Sequence, residues 1–373
     1  IRKVLPIPEI GVPRVFTPPE ASSVDSQLWV LENNSLPVIV IQLTIPGGSG
    51  SDPEGQWGRA AMVSEMLTES VGDYDALGFS DLLYQNAIDV SVSTGVYNTL
   101  IRFSFHKDQL DTILPLMSAM LFKPQFTEKD WERVRTNQIN SIQQDREDSP
   151  TIAAQYDGYF LYGSEHPIGI PTNGTPKTID ALNREEAAKW HQSRLDADET
   201  YFSVVGAISQ VEAKTKLEKH FQDWTVQDKI EESGLSADIQ STKGILLIDM
   251  PGAEQTTIRV FSKAFEKYAP EQYAADLAGL IMGGSFTSRL NSILREEKGY
   301  TYGVGARFIE EKHNNYFIVS TSVQTAVTVE ALQELFLILD SAKEGYSAEE
   351  IQKAKAGARS SIIEISAGRK QLA

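Results

Sequence analysis

The sequence predicts an α+β fold of two homologous domains, each a mostly antiparallel sheet packed with helices. Three observations lead there. At 373 residues the chain exceeds the size of one ordinary core, which favours two domains that each bury their own. The run Phe126-Thr-Glu-Lys-Asp-Trp-Glu-Arg-Val recurs as Tyr346-Ser-Ala-Glu-Glu-Ile-Gln-Lys-Ala, with Thr127 matching Ser347 and Ile142 matching Ile362 at an offset of 220. Before each copy the order of elements also repeats, because strand 99–105 leads to helix 110–121 as strand 316–322 leads to helix 329–341.

A Pro-rich lead with Pro6, Pro8, Pro13, Pro18 and Pro19 excludes regular helix. Residues 28–31 and 37–45 then predict two paired strands joined by a turn at 32–35. After a Gly- and Pro-bearing loop at 47–58, helical spacing predicts helices at 59–68 and near 79–85, and alternation predicts strands at 89–93 and 99–105. Two long helices follow at 110–121 and 128–146, the second opened by Thr127 as N-cap. The first copy continues through 156–162 and 184–194 to a closing strand at 201–205. The same offset puts the second closing strand near 421–425, past Ala373, so the second domain is expected to be truncated with an apolar face uncovered. The domains are expected at 1–224 and 243–373, joined by a polar linker at 225–242, before residues 245–248 restart a strand.

The longest apolar stretch, around 36–45, is interrupted by Gln42 and Thr44 and is too short to span a bilayer, so no membrane span is expected. No cysteine is present, which excludes disulfides and thiolate metal sites and leaves the redox compartment unread. A formal charge of −17 argues against nucleic-acid binding, which needs clustered Lys and Arg; it favours cationic peptides or simply keeps the surface soluble. The five histidines are scattered, with no pair one helical turn apart, and His166 before Pro167 reads as a loop residue bonded to backbone.

Residues 58–67, Gly-Arg-Ala-Ala-Met-Val-Ser-Glu-Met-Leu, have the shape of an inverted zinc-peptidase helix without its chemistry. In H-x-x-E-H the histidines bind zinc from one helix face and the glutamate activates water. Here those places hold Ala61, Ser64 and Glu65. A methyl group cannot ligate, a serine hydroxyl is a poor base near neutral pH, and one carboxylate falls short of three protein ligands. No metal is expected in this chain, and Glu65 alone reads as a solvated helix-face or interface carboxylate.

With that helix, the duplicated unit, the stretch Leu161-Tyr-Gly-Ser-Glu-His-Pro-Ile-Gly-Ile-Pro and the run from Gly283 to Gly303 containing Ser-Arg-Leu-Asn-Ser-Ile-Leu-Arg-Glu-Glu-Lys-Gly-Tyr-Thr-Tyr, the chain resembles the pitrilysin or insulinase-like zinc peptidases, in particular the processing-peptidase-like branch. The resemblance implies a domain pair forming half of a clamshell. It implies a third metal ligand, a glutamate, on the long helix; counted from Glu65 the position falls at Asn140, Ser141 or Ile142, none of them acidic, with Asp145 about a turn further on. It also implies a substrate-binding arginine and a tyrosine seven residues later, which two-subunit members supply from the subunit lacking metal; Arg295 and Tyr302 match that spacing. From the residues alone, Arg295 reads as a helix-end cation and Tyr302 as a strand aromatic, with Tyr300 on the opposite strand face. Gly283 and Gly284 read as a helix C-terminus, with 285–288 beginning the next element.

The implied role is a non-catalytic subunit. A homologous catalytic subunit with intact H-x-x-E-H would carry the zinc, unfolded peptide would be the substrate, and the location would be periplasmic, with the cytoplasm open. The rival is a peptide-binding or scaffold protein of the same fold that has lost catalysis altogether.

Overall fold

The computed structural model describes residues 20–367 apart from Ser26, Asp196, Asp223, 225–237, 240–243, 267–268 and His313. The Pro-rich lead and most of the expected linker lie outside the described residues. The first unit runs β1 (Ser22–Ser23), β2 (Leu28–Glu32), β3 (Val38–Pro46), α1 (Arg59–Met66), α2 (Ala76–Gln85), β4 (Asp89–Thr94), β5 (Asn98–His106), α3 (Leu110–Phe122) and α4 (Glu128–Asp145). It continues through α5 (Ser149–Gln155), α6 (Asp157–Tyr162), α7 (Pro176–Asp180), α8 (Arg184–Arg194), β6 (Tyr201–Gly206) and α9 (Gln210–Phe221). The second holds β7 (Gln255–Lys263), α10 (Gln272–Met282), a π-helical turn (Asn291–Glu297), β8 (Thr301–Glu310), β9 (Asn315–Gln324), α11 (Thr328–Asp340) and α12 (Ala348–Ala367).

The first sheet has the order β1-β2-β6-β3-β5-β4. Alternation along β3 turns Ile39, Ile41, Leu43 and Ile45 to one face, where with Ile101, Phe103 and Phe105 of β5 they meet Ile113, Met117 and Met120 of α3. Truncating one of these to Ala costs about 2–5 kcal/mol. A second cluster joins Met62 and Met66 of α1 to Trp131, Val134 and Ile142 of α4 and Ala187 of α8. At the sheet margin β4 alternates between exposed and half-buried residues, as a free edge does.

The expected pairing of the first two long strands is corrected. β6 lies between β2 and β3, parallel to the first and antiparallel to the second. Its Val204 packs into the core beside Leu28, Val30 and Ile41, and its backbone pairs with both strands, which a local hairpin would have joined directly. The strand expected at 245–248 is also absent: residues 244–250 form no strand, and Ile245 and Leu247 are 95% and 85% exposed. Residues 245–249 stand 217 positions after β2, the offset that also relates β7 to β3. β2 is held by β6, and no counterpart of β6 is among the described residues.

The second sheet has the order β7-β9-β8. One face packs Val304, Ala306, Val319 and Val323 against Leu290, Leu294 and Leu335. Against the other lie Leu161 and Tyr162 of α6 with Tyr316 and Ile318. Arg259 of β7 donates to the carboxylate of Asp157 (Nε to Oδ1 2.6 Å), and Ser149 shares a hydrogen bond with Thr257 (2.6 Å). These contacts fasten the units to each other.

The repeat survives in its caps. Thr127 Oγ1 accepts from the Asp130 amide, and 220 positions on Ser347 Oγ accepts from the Glu350 amide, each at 3.2 Å. Element by element, α1 corresponds to α10, α2 to the π turn, β4 to β8, β5 to β9 and α4 to α12. In the first copy α2 is a regular α-helix and β4 pairs without interruption; in the second both counterparts are irregular.

Candidate functional site

The helix that carries the vacated metal positions is firmly built. Asp52 is buried and accepts from the amides of Gly58 (2.7 Å) and Ala60 (2.8 Å), satisfying two of the free donors at the start of α1. Burial pushes its carboxyl up to about 7, against the pull of those two donors and of Arg194 and Arg59. Arg194 stacks on Trp190, 4.5 Å from the ring centroid, and donates to the carbonyl of Pro46 (2.6 Å) and to Ser51. Arg194 also fills the space above Gly47, where a Cβ would lie 1.1 Å from the guanidinium.

On this helix Ala61 and Ser64 are buried and Glu65 is exposed. Ser64 Oγ shares a 2.5 Å hydrogen bond with Thr94 Oγ1, tying α1 to the end of β4. The carboxyl of Glu65 lies above its ordinary range, raised by partial desolvation and by the charge of Glu69. Helix α4 packs beside α1 through Val134 and Ile142, while Asn140 and Ser141 are exposed and Ile142 is buried among Met62 and Met66. Among the described residues no group of three or more His, Cys, Asp or Glu could hold a metal ion. The side chains at 61, 64, 65 and 141 do not fit zinc, since one carboxylate is their only strong ligand.

The arginine and the tyrosine lie in the second unit, on adjoining elements. Arg295 sits on the π turn, whose wider winding is seen in the Lys298 amide bonding to Ile293 O, five residues back, at 2.9 Å. Its guanidinium lies 4.9 Å from the ring centroid of exposed Phe286 and bonds Glu296 at 2.7 Å. Gly299, with φ 66°, turns the chain into β8. There Thr301 pairs with Val323 and Val304 with Thr321, so Tyr302 and Gly303 together oppose Ser322 in a β-bulge. Two threonine hydroxyls pin the bulge by donating to Gly303 O, Thr301 at 3.0 Å and Thr321 at 2.9 Å. Tyr302 is 88% exposed, whereas Tyr300 is half-buried against the second core. Strict alternation would put residues two apart on one face, so the opposite-face expectation is met for another reason, Tyr300 preceding β8 and Tyr302 lying in the bulge.

Three supporting residues had no sequence signature of their own. Arg289 binds Glu350 (Nε to Oε1 2.6 Å), Gly345 O (2.9 Å) and Ser341, tying the start of this segment to α12; the bond holds the Glu350 carboxyl down to about 2. Phe286 is a lone aromatic in a polar loop. Asn291 is buried and bonds backbone at both ends of the segment. Gly283 ends α10 as expected, for a packing reason: its φ is −153°, and a Cβ there would lie 2.5 Å from that of Ala306.

The comparisons agree with this architecture. The family described as insulinase (peptidase family M16) matches residues 28–157, and the peptidase M16 inactive domain matches residues 181–358. A Helicobacter pylori protein named non-peptidase homolog YmxG is 24% identical over 329 residues, covering 87% of this chain and 74% of its own length. A crystal structure of a peptidase M16 inactive domain from Pseudomonas fluorescens has a TM-score of 0.82 at 20% identity, covering 95% of this chain and 88% of that one. The crystal structure of a protease from Helicobacter pylori gives 0.84 at 17% identity, with the same coverage of 95% and 88%.

Proposed function

The chain belongs to the M16 peptidase family, and on that premise we propose that it is the non-catalytic subunit of a two-subunit zinc peptidase, lending Arg295 and Tyr302 to a homologous partner's active centre. The observation that carries this reading is a contrast between the two units. The metal helix keeps its scaffold and lacks ligands and base, while the arginine–tyrosine segment is fully braced and its tyrosine is directed to solvent. A surviving name among the relatives, non-peptidase homolog, supports the loss of catalysis.

In this reading the partner holds the zinc and the water-activating glutamate. Arg295 donates to a carbonyl of the bound peptide through a permanently charged, directed group. The Tyr302 hydroxyl donates to the oxygen that becomes anionic as the scissile carbonyl is attacked. The free edge strand β4 supports an extended, unfolded peptide as substrate, because such a chain can add to a sheet edge through its backbone. A periplasmic location goes with the proposal.

The test is reconstitution. Mixed with a homologue bearing intact H-x-x-E-H, the chain is expected to form a heterodimer that cleaves an unstructured peptide far faster than either protein alone. A heterodimer no more active than the partner by itself would leave the peptide-binding or scaffold role as the better account.

A further inference from the structure

We propose that Asn291 is a positioning residue that locks Arg295 and Tyr302 into one rigid presenting unit. The proposal rests on the in-trans reading above and names what sets its geometry. Asn291 opens the π turn and is 5% exposed. Its side-chain amide pairs with the backbone of Val304 in both directions: Nδ2 donates to Val304 O at 2.8 Å, and Oδ1 accepts from Val304 N at 2.9 Å. That two-way pairing fixes which end of the amide is oxygen. Strand β8 is an edge, so the Asn291 amide stands where a neighbouring strand would otherwise satisfy these buried groups.

The same Nδ2 also lies 3.0 Å from both Ser285 O and Ser288 Oγ, so its two hydrogens are shared among three acceptors. One side chain therefore joins three segments. The 285–288 loop carries Phe286, on which Arg295 stacks; the π turn carries Arg295; and Val304 directly follows the bulge that carries Tyr302. Each irregular element is held at the point where it could relax. A bulge can slip in register and a π turn can rewind, and either change would re-aim its side chain.

The experiment is a double-mutant cycle in the reconstituted heterodimer, comparing wild type, Asn291→Asp, Tyr302→Phe and the double variant, with assembly checked by gel filtration. The isosteric Asp keeps the acceptor for Val304 N and loses the donor to Val304 O. A side chain misplaced by about 1 Å can cost about 100-fold, so a kcat loss of about 10- to 100-fold is expected for Asn291→Asp in the wild-type background. In the Tyr302→Phe background the kcat loss should fall below about twofold, because no hydroxyl remains to be aimed, while the misplaced peptide-binding Arg295 should raise KM in both backgrounds. An equal loss in both backgrounds would mark a general folding defect and overturn the proposal. Unchanged kcat for Asn291→Asp, with Tyr302→Phe impaired, would overturn it and leave the in-trans reading standing. A silent Tyr302→Phe would overturn both. Should Asn291→Asp fail to assemble, Ser288→Ala withdraws one acceptor from the same amide. A kcat loss of about two- to fivefold is then expected in the wild-type background only, matching one modest hydrogen bond, and the same loss in both backgrounds overturns the proposal.

Discussion

Replacing Tyr302 by phenylalanine separates function from structure at one atom. The side chain is 88% exposed, and among the described residues its hydroxyl makes no hydrogen bond to the chain. Removing that oxygen leaves the bulge intact, since the bulge is pinned by Thr301, Thr321 and Asn291 rather than by Tyr302. The change in unfolding free energy should stay within about 0.5 kcal/mol, the range of ordinary surface substitutions. Turnover in the heterodimer should fall by about 10² to 10³, equivalent to about 2.7–4 kcal/mol of transition-state stabilisation. Because the donated hydrogen bond strengthens as charge develops on the carbonyl oxygen, the loss should appear in kcat with KM little changed. Initial rates on an unstructured peptide over a range of concentrations, beside a urea melt of each protein, measure both quantities. Tyr300→Phe is the control: that ring packs against the second core, and its rate should be close to wild type. Full turnover by Tyr302→Phe in a verified heterodimer would refute the role, and so would a rate loss matched by a comparable loss of stability.

Two further outcomes are expected. The purified chain should take up no stoichiometric zinc, and Ala61→His, Ser64→Glu and Glu65→His together should bind it only weakly until Ser141→Glu adds a third protein ligand; metal analysis and competition titration test this, and one tightly held zinc in the unaltered chain would contradict it. Burial lowers the pKa of His191 to about 4, with Nε2 2.8 Å from Leu121 O, so the unfolded chain binds the extra proton between pH 6.5 and 4 and stability present above 6.5 is lost as pH falls through that window. The loss should reach about 2 kcal/mol by pH 5 and be missing from His191→Gln, whereas parallel pH profiles for the two proteins would show that another group is responsible.

What could be read along the chain was what local pattern encodes. The caps Thr127 and Ser347 mark helix starts through a hydroxyl and an amide three residues away, and the alternation of β5 is visible in its own nine residues. The placement of β6 between β2 and β3 could not be read, because it depends on residues more than 150 positions away, and the turn at 32–35 looks the same either way. The apolar run at 245–248 illustrates the limit of propensity, since a strand exists only where a neighbour takes its backbone bonds. At the candidate site the spacing of Arg295 and Tyr302 was legible through the family resemblance. The role of Asn291 was not, because a side chain bonded to backbone thirteen residues on leaves no periodic trace. Nor was the bulge, since Thr-Tyr-Gly-Val reads as plain strand until its partner is counted against it.

The two irregular elements also bear on how such a segment can arise or be altered. An offset of 217 relates β3 to β7 and again β5 to β9, so the intervening stretches of the two copies are equally long. The second copy winds residues into a wider turn and a bulged strand without any net insertion; its connections are correspondingly leaner. Its presenting geometry is therefore a matter of apportionment, of how a fixed length of chain is divided among helix, strand and loop. Because strand side chains alternate, deleting Gly303 would restore an even ladder and send a neighbouring side chain to the other face. Point substitutions conserve that division, and changes in segment length are the moves that redraw it.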